Sequence, residues 1–411
     1  MKLAHNFPRR TGRAAFTLVE LLVVIAIIIV LASLLLAAVF KALDMAYEAQ
    51  TRTDITQLGA ALQSFETKYG VNYVPSRIIL CENPANYFNP STGQAWTQLH
   101  QDSLDYLQRV FPRISSPTLA QSQWALAGID WNGDGVIQDL PMACPGFTPT
   151  GLSVYNPATG TSSLLSCNGF LLEGEQCLVF FAGGIPRPTP SGVTMTGFAT
   201  NPSNPADLNS DRVPPFFDFK SDRLLQWVPQ PPYAPPGVVG TAPGFPSYKD
   251  GYGKTPYAFF SSYKTSNGYN RYVNISNPYM PLNPTPPGAG PASSDCQALP
   301  FPLWQGNPPT LVGGTGVWPY AQFMAAGGPP VYLNPQTYQI ISAGKDLNFG
   351  TGTVVFTYPG APTGTPFWSG APQWTPQSAT AVYPQANIRG IVGGYDDIAN
   401  FYDRLLGVPT Q

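Results

Sequence analysis

The chain has 411 residues, 43% hydrophobic and 13% aromatic, so it can build a sizeable core and is not a disordered polymer. Only 11% is charged, against about 25% in an ordinary soluble domain, so much of the surface must be Ser, Thr, Asn, Gln, Gly and Pro, which suits an extracytoplasmic protein. The net charge is −2, and beyond the four bases of the first fifteen residues 17 Lys and Arg stand against 23 Asp and Glu, which leaves no basic patch to suggest nucleic-acid binding as the main activity.

Residues 1–15 read as a basic leader, with Lys2, Arg9, Arg10 and Arg13 and no acid. Residues 16–40, FTLVELLVVIAIIIVLASLLLAAVF, carry one charge, Glu20. As a helix this segment is about 37 Å long, enough to cross a bilayer. The leader bases would hold its N-terminus in the cytoplasm. A signal peptide has an apolar stretch of only about 7–15 residues, and a plain anchor has no reason to keep a carboxylate, which in lipid marks a functional partner. Cleavage before Phe16 would supply one: the new α-amino group of a neighbouring subunit could neutralise Glu20. Glu20 also sits in the first helical turn, where the dipole favours an anion.

Residues 41–70 continue as an amphipathic helix. Ile55, Leu58, Leu62, Phe65 and Tyr69 follow alternating +3 and +4 spacing, one apolar stripe. Arg52, Asp54, Gln57, Gln63, Glu66 and Lys68 are expected on the other faces, and Gly70 as the C-cap. Gly59 and Gly70 are the only Gly or Pro residues between positions 16 and 70. A single helix from Phe16 to Tyr69 would be about 81 Å long.

Arg13-Ala14-Ala15-Phe16-Thr17-Leu18-Val19-Glu20-Leu21-Leu22 resembles the cleavage and methylation motif of type IV pilins and type II secretion pseudopilins. The resemblance implies that a prepilin peptidase cuts between Ala15 and Phe16 and N-methylates Phe16, and that Glu20 guides assembly. It further implies a single-pass subunit of the inner membrane whose body lies in the periplasm or outside the cell. Its partners would be other pilin or pseudopilin subunits and a secretion or pilus assembly machinery. Two features depart from the pattern: Ala15 replaces the usual Gly before the cut, so slower processing is expected, and no Gly or Pro interrupts the apolar helix, so it should be continuous.

Residues 71–411 read as a loop-rich extracytoplasmic body, making the whole chain α+β: a long N-terminal helix packed on mainly antiparallel strands. Leu104, Leu107 and Phe111 after Asp102-Ser103 suggest a helix. Cys177–Ala182 is a core element, helix or strand, stopped at Gly183-Gly184. Tyr257–Phe260, Tyr338–Ile341 and Val354–Tyr358 read as core or strand segments, and Pro229–Pro246 and Pro278–Pro291 as loops or extended arms. The five cysteines, Cys81, Cys144, Cys167, Cys177 and Cys296, match no zinc spacing and leave one or two disulfides or buried thiols open.

Asp130, Asn132 and Asp134 with Gly135 follow the opening of a calcium loop, in which alternate oxygens converge on one cation. Pro141 stands where an EF-hand has its bidentate Glu, and Asp139 could substitute. The alternative is a pair of Asn/Asp-Gly turns. A second acidic region, Ser342–Gly350 followed by Gly394–Phe401, resembles the C-terminal calcium loop of the major type II pseudopilin, with a longer insertion. That likeness makes Asp346, Asp396 and Asp397 candidate calcium ligands; surface acids or an Asp397 helix cap explain them otherwise. The phrase Leu172-Glu-Gly-Glu-Gln-Cys-Leu-Val-Phe-Phe181, with the composition, resembles enlarged prepilins of the planctomycete kind.

The body has one histidine, His100, expected as an ordinary, partly exposed side chain, and no G-x-S-x-G, H-E-x-x-H or phosphate-binding Gly loop. An enzyme is therefore not expected. The expected role is a structural subunit of a pseudopilus-like filament, with a minor or tip subunit binding surfaces, secretion substrate or DNA as the alternative.

Overall fold

The computed structural model describes residues 18–88, 93, 95, 97–114, 128–135, 137, 141–143, 153–156, 161–164, 166–190, 192–226, 245–266, 268–269, 271–272, 295–305, 310–317, 319–322, 331–345, 347, 349 and 397–401. The fold is α+β. Contacts divide the chain into two compact units, Met1–Ala49 and Gln50–Gln411.

Helix α1, Leu18–Tyr69, is continuous for 52 residues, as expected of a segment with no internal Pro. Its C-terminal stop is conformational: Gly70 adopts φ +67°, and Val71 N–H bonds back to the Glu66 carbonyl at 3.1 Å. That 6→1 bond needs a left-handed residue, which glycine adopts without steric cost.

In the second unit, the stripe Ile55, Leu58, Leu62 and Phe65 is buried. Phe65 meets Phe181 edge to face at 5.2 Å and Phe198 at 6.2 Å. Phe181 belongs to α3, Gly174–Gly183, which resolves the Cys177–Ala182 element as a helix. Every α3 residue except Gln176 is buried, Glu175 among them, so the helix is enclosed nearly all round. It starts where the Gln176 side chain accepts from Glu173 N–H at 3.2 Å. It stops at Gly184, φ +82°, where a Cβ would stand 2.2 Å from the Gly197 backbone.

Helix α2 spans Gln98–Val110, starting earlier than Asp102-Ser103 suggested. The cap is Thr97, whose hydroxyl oxygen accepts from His100 N–H at 3.3 Å. Asp102 and Asp105 instead accept from the Gln98 and Gln101 side chains one turn earlier. Phe111 is the C-cap residue and lies outside the helix.

The described strands pair antiparallel in small sheets. One matters most for position: Ala258–Ser261, Tyr338–Ser342 and Ile398–Ala399 form a three-stranded sheet in that order. Alternation sends Phe259 and Ile340 into the core shared with α1 and α3. Ala258, Phe260 and Ile341 enter a second cluster with Tyr320 and Phe349. The sheet is thus buried on both faces, which is why its strands read as apolar runs. Pro246, counted with a Pro-rich loop, heads the strand Pro246–Tyr248, the position where a missing N–H is tolerated. Val354–Tyr358 and Pro278–Pro291 lie outside the described residues.

Candidate functional site

The first unit carries the apolar segment. Leu18 through Phe40 is exposed wherever a side chain is described: Leu18 is 78% exposed and Ile29 65%. Ser33 does not interrupt the apolar surface, because its hydroxyl donates to the Val30 carbonyl at 2.8 Å. The helix is long and apolar enough to cross a membrane, with a mean hydropathy of 3.3 over its most apolar window and none of that window buried. So large a continuous apolar surface requires lipid or protein to cover it. Glu20 is exposed in the first turn of α1. Ala15 and Phe16 lie outside the described residues.

In the second unit, the rest of α1 is held by polar groups that the stripe did not reveal. Asp54, expected on an outer face, is only 8% exposed. Its Oδ2 accepts from Arg223 Nη2 at 2.5 Å and from the Tyr257 hydroxyl at 3.0 Å. Arg223 also donates to the Lys249 carbonyl and lies 4.3 Å from the centre of the Tyr248 ring. One turn away, buried Thr51 accepts from Gly251 N–H at 3.1 Å. The same loop is fixed by Asp250, which accepts from Ser342 Oγ at 2.7 Å and from Tyr252 and Gly253 N–H. Burial pushes the Asp250 carboxyl up to about 6, against the pull of these hydrogen bonds. The helix is therefore tied to the body by a charge pair, a hydroxyl and a braced loop, as well as by apolar packing.

The first acidic loop is compact. Asp130 Oδ1 accepts from Gly133 N–H at 2.7 Å and Oδ2 from Gly135 N–H at 2.9 Å. Asn132 Oδ1 accepts from Asp134 N–H, and its Nδ2 donates to Asp134 Oδ2, each at 3.1 Å. Burial raises the Asp130 carboxyl, opposed by those backbone donors. Gly133, φ +70°, seats the loop so close to Pro186 that a Cβ would be 1.8 Å from its carbonyl oxygen. Asp130, Asn132 and Asp134 are thus brought together, with their oxygens partly engaged by the loop's own donors. Asp139 lies outside the described residues.

The second acidic region differs. Asp397 is fully buried ahead of the strand Ile398–Ala399, accepting from the Tyr320 hydroxyl. It is thus neither a surface acid nor a helix cap; Asp346 and Asp396 lie outside the described residues. Among the described residues, no three His, Cys, Asp or Glu side chains are placed together to hold a metal.

A further loop carries the same acidic spacing. Asp207, Asn209 and Asp211 repeat the Asp-x-Asn-x-Asp pattern of Asp130–Asp134. Here Asp207 accepts from Ser210, Asn209 and Asn201, and the Ser210 hydroxyl leads in holding its carboxyl down at about 2. The next residue, Arg212, donates to the carbonyls of Thr196, Asp207 and Gly197 at 2.7–2.9 Å. A guanidinium thus takes the carbonyl cluster beside this turn. The repeated spacing could have drawn attention to it.

His100 is fully buried, contrary to expectation. Its Nδ1 lies 2.7 Å from Thr97 Oγ1, and burial lowers its pKa to about 4. Cys81, Cys177 and Cys296 are buried free thiols.

Residues 10–36 match the family model described as the prokaryotic N-terminal methylation motif. No curated protein and no solved structure matches the chain. The match covers the Ala15–Phe16 junction, Glu20 and most of the apolar segment. The chain therefore carries a prepilin-type signal, which implies processing by prepilin peptidase and assembly with other pilin subunits.

Proposed function

We propose that this type IV pilin-like, prepilin-processed chain is a structural subunit of a pilus-like filament, of the type II secretion pseudopilus kind. The observation that carries the reading is the union of the methylation motif with an apolar segment, exposed wherever a side chain is described, on a helix that runs on to Tyr69 and whose Ile55–Phe65 stripe is buried in the body. A helix whose far end is clamped by Asp54, Arg223 and Thr51 can also transmit load from the body to its neighbours.

In this account, the basic leader holds the N-terminus in the cytoplasm, and the body lies beyond the inner membrane. Cleavage between Ala15 and Phe16 exposes an α-amino group four residues from Glu20. In lipid an isolated carboxylate is costly, so Glu20 of one subunit gains by meeting the Phe16 amine of the next. Apolar contact along Leu18–Phe40 then replaces lipid contact. A structural rather than catalytic role is supported by His100, the body's one histidine, being buried and held neutral by its surroundings.

Calcium would stabilise the body at the Asp130 loop, where Asp130, Asn132 and Asp134 offer hard oxygen donors at alternate positions. The C-terminal set is less suited, because Asp397 is turned onto Tyr320 inside the core. The test of the main reading is Glu20→Ala in the full chain. Membrane insertion should persist, because leader charge and apolar length are unchanged, while filament yield should collapse. Normal filaments from this variant would refute the pairing.

A further inference from the structure

In the second unit, the three-stranded sheet ends on Ile398–Ala399 as its edge strand. One side of that strand is taken, with Ala399 paired to Ile341 and Ile398 to Ser342. Asn400 extends the pairing: its N–H donates to the Ile340 carbonyl at 3.2 Å, and its Oδ1 accepts from Ile340 N–H at 2.9 Å. Among the described residues, no strand pairs with the other side. A groove of about 830 Å3 is lined by all four residues from Ile398 to Phe401 and, across from them, by Thr56, Gly59, Ala60 and Gln63 of α1. Asn400 and Phe401 form a turn, so the chain leaves the sheet at the rim of this groove.

The helical wall suits an apolar occupant. Thr56, Ala60 and Gln63 are exposed there, while Tyr338 and Phe401 are half-buried. Thr56 donates its hydroxyl to a carbonyl of its own helix at 3.0 Å, so covering it strands no polar hydrogen. An extended strand rises about 3.3 Å per residue, with about 4.8 Å to the next strand and about 10 Å to the next layer, and so fills roughly 160 Å3 per residue. The groove therefore holds about five residues of such a strand.

We infer that this groove receives the chain's own C-terminal segment, centred on Leu405-Leu406-Gly407-Val408. The inference concerns the single chain and does not rest on the filament reading. Three observations select this occupant. The first is continuity: the segment follows directly from Phe401, itself a groove residue, through a turn. A second is composition, because beyond Asp403 and Arg404 the sequence offers Leu405, Leu406 and Val408 to a wall that includes Ile55, Gly59 and Ala60. The third is reach. Extended, the stretch from Tyr402 to Val408 spans about 23 Å, roughly twice the rise of about 11 Å from Thr56 to Gln63 along α1. Tethering at the rim also holds the segment at an effective concentration on the order of millimolar, which favours it over the same segment of another molecule. Laid beside Ile398–Ala399, it would cover the edge of the sheet as well.

The full-length chain, purified in detergent, provides the test. A photo-crosslinking amino acid in place of Gln63 should give an adduct within one chain, which keeps the size of a single copy on a denaturing gel. Mass spectrometry should map that adduct to residues 402–408. Leu405→Asp combined with Leu406→Asp, which puts charge where the apolar pair should lie, should lower the adduct yield about tenfold or more. If replacing Gln63 disturbs the fold, a crosslinker at Leu405 decides alone, and its adducts should fall in residues 55–63. Adducts between two copies, with detergent only or with other parts of the same chain would overturn the inference while leaving the filament reading intact. So would the lack of any adduct, or a yield that the double substitution leaves unchanged.

Discussion

Asp54→Ala removes the single carboxylate that α1 presents to the interior of the body. In the folded chain it meets Arg223 at 2.5 Å, with the two side chains 8% and 11% exposed. Solvent therefore does little to screen the pair, and breaking it should cost about 3–5 kcal/mol, the range for a buried ion pair that loses one partner. Two features set where in that range the loss falls. Arg223 keeps the Lys249 carbonyl and the Tyr248 ring, which limits the damage. Tyr257 loses the acceptor for its buried hydroxyl, which adds to it. A loss of about 3 kcal/mol is therefore expected, a large share of a typical total of about 5–15 kcal/mol. Urea unfolding of the full chain in detergent, followed by tryptophan fluorescence, would measure it. Asp54→Asn, which keeps an acceptor for Tyr257, should lose less. The double variant with Arg223→Ala should lose less than the two single losses added, because the pair is removed together. A loss below about 1 kcal/mol for Asp54→Ala, the level of a surface pair, would refute the view that this contact anchors the helix.

The pH dependence has a definite sign. The Asp250 carboxyl is raised from 3.8 to about 6 by burial, so its contribution to stability is fully present below about pH 4 and is lost as pH rises through 6. Stability should gain about 1.3 kcal/mol on acidification from pH 7 to 5, and Asp250→Asn should remove that part of the dependence; the same pH profile in the two proteins would contradict it. With calcium at a hundredfold excess over Kd, the full chain should gain roughly 2.7 kcal/mol, seen as a higher melting temperature. Asp134→Ala should erase that gain, magnesium should do little, and an unmoved melting curve would reduce the loop to turns. Glu20→Ala should insert normally and fail to assemble, as sheared-filament yield would report.

What the sequence disclosed follows from range. The stripe from Ile55 to Phe65 was readable because helical period is a local property, and the long uninterrupted helix because Pro and Gly are local vetoes. Asp54 was misplaced because its partner Arg223 lies 169 residues away, and no local pattern encodes a distant guanidinium. The start of α2 was set late because Asp102 and Ser103 resemble a cap, whereas Thr97 takes the role through its bond to His100 N–H. The Cys177–Ala182 run could not be typed because a fully buried helix and a fully buried strand share the same composition. Asp397 reads from sequence as a calcium ligand, a surface acid or a helix cap, because the Tyr320 hydroxyl that meets it in the core lies 77 residues away. The N-terminal motif was legible because it is a linear pattern, matched over residues 10–36.

The central claim is that this chain is cut and assembled through the end of α1. Mass spectrometry of the N-terminal peptide, taken from purified membranes and from sheared filaments, tests it most directly. A chain beginning at Phe16 and carrying one N-methyl group is expected in both fractions. A retained Met1, or an N-terminus near Ala37-Ala38, would contradict it.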